Sequence, residues 1–231
     1  MKLEKNRVLV IAAHPDDEVL GCGGTMVRHS AKGDEVWVLI LGGGIMARND
    51  GSDKEKKDSL VMLHKSAEEA NKMLNVKKLI IKDFPDNKFD SVPLLDIVQS
   101  IESVIREFKP NIIYTHHCAD VNIDHRMVSE AVESAVRPME NSFVNVVLAF
   151  EVPSSTEWNF TKSNLFRPNV FVNVEDFVDK KIKALQNYNS EMREFPHPRS
   201  IEYISSLIKI RGGQSGMRAA ESFCLIFERR K

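Results

Sequence analysis

Short segments of β-branched and aliphatic residues recur along this chain, over 8–13, 36–41, 78–81, 111–115 and 144–150, with helical periodicity between them. A strand that is apolar at consecutive positions is buried on both faces, as in a parallel sheet covered by helices. The intervening helices are predicted over 18–31, 55–74, 93–108 and 125–136. In the second of these Leu60, Leu63, Ala67, Ala70 and Leu74 share one face. Strands alternating with helices predict an α/β fold, a Rossmann-like, doubly wound, mostly parallel sheet with helices on both faces. After Val152 the pattern loosens into a polar stretch over 154–164 that reads as a loop or lid. A strand over 170–174, helices over 176–194 and 200–210 and a last strand over 223–227 follow. The expectation is one domain over 1–231, with 1–152 the core sheet and 153–231 a lid and completion segment.

Composition excludes several classes of function. With 32 Lys and Arg against 33 Asp and Glu, the net charge of -1 offers no field to hold a nucleic acid. Three cysteines, Cys22, Cys118 and Cys224, are too few and too scattered for a disulfide framework or an all-cysteine zinc site, which points to a reducing, cytoplasmic compartment. The apolar stretch behind Lys2, Lys5 and Arg7 is shorter than a secretory core, and no segment approaches the roughly 18 apolar residues of a membrane span. The chain therefore reads as soluble.

The chemistry concentrates in two clusters. His14-Pro15-Asp16-Asp17-Glu18 lies where the first strand hands over to the first helix. Pro15 and the acids suit a helix start, but capping uses one Asp and leaves a His and a second Asp over. His116, His117, Asp120, Asn122, Asp124 and His125 follow the fourth strand. In a doubly wound sheet the first and fourth strands commonly flank the switch point, and their carboxyl ends open onto one crevice. Imidazoles and carboxylates meeting there form a ligand set for Zn²⁺ or another divalent metal.

The HPDDE motif, the following Val19-Leu20-Gly21-Cys22-Gly23-Gly24-Thr25 and the later Asp124-His125 resemble the PIG-L/LmbE family of metal-dependent N-acetylglucosamine deacetylases. The resemblance is strong over 7–44 and 111–136 and fainter at Arg211-Gly212 and 219–223. It implies that His14, Asp17 and His125 ligate zinc, that Asp16 is the general base for a metal-activated water, and that Asp124 orients a neighbouring imidazole. The substrate implied is a small N-acetylated amino sugar, in a glycoconjugate or cell-envelope precursor more than as free sugar. Related enzymes occur as monomers and as homo-oligomers. Many members carry a His where this chain has Asn122, which can donate to an oxyanion but is no general acid at neutral pH. Either Asp16 then carries the proton to the leaving amine, or His117, Asp120 or His197 substitutes.

Arg48, after Gly42-Gly43-Gly44, matches a family position that contacts sugar hydroxyls or an attached phosphate. Asp86 matches another near the sugar, and equally suits a turn after Pro85. His197, in the stretch 193–200, is a candidate to close over the crevice, and Trp158 to line the sugar site. His29 and His64, on helices without acidic or imidazole company, read as surface or boundary residues, and Cys22 as a core residue among glycines. Two other functions compete. Gly42 to Ala47 imitates the dinucleotide fingerprint of an oxidoreductase, but follows the second strand and lacks the acidic residue about 20 positions on. Asn122 motivates a non-catalytic sugar- or metal-binding homologue.

Overall fold

β1 (Arg7–Ala12) is apolar on both sides: Val8, Val10 and Ala12 face one core, Leu9 and Ile11 the other. Such a strand belongs inside a parallel sheet. It pairs in parallel with β2 (Glu35–Gly42), which in turn pairs with β3 (Lys78–Phe84). On its other side it pairs in parallel with β4 (Ile112–His116), followed by β5 (Val146–Phe150). The computed structural model describes residues 5–44, 53–140, 142–160 and 164–230. The sheet is closed out by β6 (Val170–Asn173) at the edge and β7 (Ala220–Glu228), which runs antiparallel between β5 and β6. Among the described residues the strand order is β3-β2-β1-β4-β5-β7-β6.

Helices cover both faces, as the sequence pattern predicts. α1 (Asp17–Ala31) and α2 (Asp53–Met73) pack Val19, Met26, Leu63 and Ala67 against Val8 and Val10. α3 (Leu94–Phe108) and α4 (Ile123–Ala135) pack Ile97, Ile101, Val128 and Val132 against Leu9 and Ile11. α5 (Val178–Leu185) and α6 (Ile201–Gln214) return to the first face. Among the described residues no helix is long and apolar enough to cross a membrane.

α1 breaks at Cys22, whose φ of -146° and ψ of 24° are not helical. The break frees the amides of Gly24 and Thr25, which donate to the Glu221 carboxylate at 2.9 and 2.6 Å. Buried Lys181 closes the arrangement, donating to Glu221 at 2.6 Å and to the Leu20 carbonyl at 2.8 Å. Gly21 permits the close packing: a Cβ there would lie 2.4 Å from the Phe150 ring.

Two sequence expectations change. The helix predicted over 176–194 is only α5, flanked by single 3-10 turns at Glu175–Phe177 and Gln186–Tyr188. The second turn sends Tyr188 into the core, where its hydroxyl donates to Glu18 at 2.6 Å. His29 does have acidic company: its Nδ1 donates to Asp34 at 2.6 Å and its Nε2 accepts from the Tyr114 hydroxyl at 3.0 Å. Asp34 lies just past the end of α1 and Tyr114 comes from β4, so neither partner is visible in helical spacing.

Candidate metal and catalytic site

β1 and β4 are neighbours, so the chain leaving each enters the same crevice at the switch point. The turn after β1 is stitched to both sides. Ala13 N donates to His116 Nε2 at 2.8 Å, and Gly42 N donates to the Ala13 carbonyl at 2.8 Å. The glycines after β2 are thus packed on this turn. Their G-x-G-x-x-A motif starts at the end of β2 and not after the first strand, where a dinucleotide fingerprint sits. Asp16, immediately before α1, has φ 106°, a backbone conformation costly for a residue with a side chain. Its amide is taken by Glu18 Oε2 at 3.0 Å.

His14 and Asp17 from this turn meet His125 from α4. Asp17 Oδ2 lies 3.5 Å from His14 Nδ1 and 3.3 Å from His125 Nε2. Ligands about 2.0–2.1 Å from a tetrahedral metal are separated by about 3.4 Å, so these edges fit such a centre. Asp17 Oδ1 is buried without a hydrogen-bond partner, as an oxygen that serves a cation would be. His14, Asp17 and His125 therefore form a cluster capable of coordinating a divalent cation. Burial opposes their charge, yet Asp124, Asp17 and Asp86 push His14 up to about 10, and Asp17 and Asp120 push His125 up to about 9. Burial also opposes ionisation of Asp17, but His125 and His14 hold it well below the carboxylate range.

The far nitrogen of each imidazole meets a buried carboxylate. His14 Nε2 donates to Asp124 Oδ2 at 2.8 Å, with Asp86 Oδ1 3.2 Å away. Asp124 is itself fixed by the amides of Asn87 and Phe89 at 2.6 and 3.0 Å. His125 Nδ1 faces Asp120 Oδ2 at 3.2 Å. His116, stacked on His125 at 4.0 Å, is kept neutral by burial, and its accepting Nε2 makes it a core histidine.

Asp16 is almost fully buried, and burial raises its pKa well above the carboxylate range, against the pull of Arg199. Arg199 Nη1 donates to Asp16 Oδ2 at 2.8 Å. His14, Asp16, Asp86, Asn87, Asn122 and Arg199 line a cavity of about 230 Å³. Asn122 caps α4: its Oδ1 accepts from Asp124 N at 2.8 Å, and its Nδ2 donates to Asn87 at 3.2 Å.

Of the candidates singled out from sequence, His14, Asp16, Asp17, Asp86, Asn122, Asp124 and His125 gather here. Arg48 lies outside the described residues. His197 does not line the cavity; its Nδ1 accepts from Arg199 N at 3.0 Å and its ring stands 6.1 Å from Trp158. The stretch 193–200 reaches the crevice through Arg199, which sequence reasoning passed over. His117 faces away too, with its ring against Phe166 at 5.4 Å and its Nδ1 accepting from Ala119 N.

Known proteins resemble this chain in sequence and in fold. The chain is 29% identical over 193 residues to the uncharacterised deacetylase YaiS of Escherichia coli, covering 81% of this chain and 92% of that protein. It is 28% identical over 227 residues to the diacetylchitobiose deacetylase of Thermococcus kodakarensis, covering 93% and 81%. The structure of the N,N'-diacetylchitobiose deacetylase from Pyrococcus horikoshii shares the fold, with a TM-score of 0.77 at 20% identity over 96% of this chain and 84% of that one. Residues 9–136, which hold the first cluster and the second, match the family described as PIG-L, GlcNAc-PI de-N-acetylase. That span is more than half of the chain, which belongs to the PIG-L family.

Proposed function

We propose that the chain hydrolyses the acetamide of an N-acetylated amino sugar, with zinc as its cation. The observation that carries this reading is the meeting of His14 Nδ1, Asp17 Oδ2 and His125 Nε2 beside buried Asp16 on one cavity. His14, Asp17 and His125 hold the cation. Bound there, it supplies Lewis acidity and lowers the pKa of a neighbouring water. Asp16 takes the water's proton at Oδ1, the oxygen that Arg199 leaves, and returns it to the leaving amine. Its raised pKa suits it to carry a proton both ways. Asp124 holds His14 in place through Nε2. Asn122, whose oxygen is committed to the helix cap and one of whose amide hydrogens goes to Asn87, keeps its second amide hydrogen for the oxyanion.

Asp86 and Arg48 contact the sugar, and Arg199 borders the same cavity. A cavity of about 230 Å³ is small, so the reacting sugar fills it and the rest of a glycoconjugate lies outside. Segment 153–231 serves as wall and lid within one domain. The three free cysteines suit a reducing, cytoplasmic setting.

The test is amine release from a panel of N-acetylglucosamine derivatives with Zn²⁺ present. Asp16→Asn and Asp16→Ala are expected to lower kcat by about 10²–10⁴-fold while retaining metal. If the wild type binds metal yet releases no more amine than these variants, a non-catalytic sugar- or metal-binding protein stands instead.

A further inference from the structure

Asp120 has no part in the proton transfers above, yet it is fully buried and surrounded by hydrogen-bond donors. Its Oδ1 accepts from Asn122 N at 2.8 Å and from the Ser155 hydroxyl at short range. Its Oδ2 accepts from the Thr156 hydroxyl at 2.6 Å and faces His125 Nδ1 at 3.2 Å. Thr156 Oγ1 already accepts from Val152 N at 2.8 Å, so its single proton is free for Asp120. Two residues earlier, Ser154 Oγ accepts from Arg199 Nε at 2.9 Å, and Arg199 holds Asp16.

We propose that Asp120 is the positioning residue of His125, and that the hydroxyl triplet Ser154-Ser155-Thr156 sets both halves of the centre at once. A carboxylate at Nδ1 fixes the proton on that nitrogen and leaves the Nε2 lone pair facing Asp17. Without it, the polar neighbour left near Nδ1 is the Ser155 hydroxyl at 3.4 Å, which donates as readily as it accepts and fixes no tautomer. Ser155 and Thr156 hold Asp120, while Ser154 holds the guanidinium that engages the general base. One turn of chain thus aligns a cation ligand and the base relative to each other. The role rests on the cation reading of His14, Asp17 and His125.

The experiment measures Zn²⁺ affinity by chelator competition, and the visible ligand-field spectrum of the cobalt-loaded chain, for wild type, His125→Ala, Asp120→Asn and Thr156→Val. Asp120→Asn is expected to weaken Zn²⁺ binding about 10–100-fold and to alter the cobalt spectrum. Thr156→Val is expected to move both readouts the same way by less, and the double variant to fall short of the sum. A folded Asp120→Asn with wild-type affinity and spectrum overturns the proposal. If Asp120→Asn does not fold, Thr156→Val decides, since it leaves the carboxylate in place: unchanged affinity and spectrum overturn the proposal, and weakened binding with a shifted spectrum supports it. If the wild type binds no better than His125→Ala, the cation reading itself has failed, a separate outcome.

Discussion

Asp16 answers to two opposing influences, burial that lifts its pKa and Arg199 that restrains it. Removing the guanidinium leaves burial unopposed, so the carboxylate holds its proton to higher pH. Arg199→Met is therefore expected to move the acidic limb of the kcat/KM profile upward, with a loss at neutral pH of about tenfold or more. Metal uptake has its own pH dependence. In the cation-free chain His14 and His125 titrate at about 10 and about 9, so at neutral pH a bound cation displaces their protons. Affinity is expected to rise with pH toward that range, with protons released on binding, measurable by calorimetry in buffers of different ionisation enthalpy. The same raised values stabilise the cation-free fold below the ordinary histidine value of 6.5, and that contribution is lost as pH climbs through about 9 to 10. HPDDE and Asp124-His125 were legible because their spacing is local. Arg199 was not, because it meets Asp16 across 183 positions and the nearer-looking candidate, His197, differs from it by only two residues.

α1 shows how a helix can be interrupted and still stable. The amides freed at Cys22 find Glu221, and buried Lys181 neutralises that carboxylate. Lys181→Ala would strand a buried charge, and a loss of about 3–5 kcal/mol in urea unfolding is expected. Gly21→Ala drives a methyl into the Phe150 ring, for an expected loss of about 1–3 kcal/mol by the same measurement. Sequence periodicity foresaw α2, α3 and α4 closely, since each buries one apolar face, and it found the ends of α1 but not its break at Cys22. It overran at 176–194 because the residue that ends the helical run, Tyr188, is recruited by Glu18, 170 positions away. No local pattern encodes that bond.

At the scale of the molecule, the parallel half of the sheet was readable from unbroken apolar runs, buried on both faces. The seat of β7 between β5 and β6 was not, because composition sets neither pairing direction nor neighbour. A chain ending at Val152 would leave the β5 edge bare and α1 without Glu221 and Lys181. It is expected to be aggregation-prone, checked by sedimentation of the expressed fragment. The position of β7 also dictates an order of events during synthesis. β6 emerges first but has nothing to pair with until β7 has been made and slotted beside β5. Ser154 and Arg199 must likewise both have left the ribosome before Asp16 is held. Activity then waits on segments made long after the motif, and a chain made only as far as Val152 carries the motif without the means to hold Asp16.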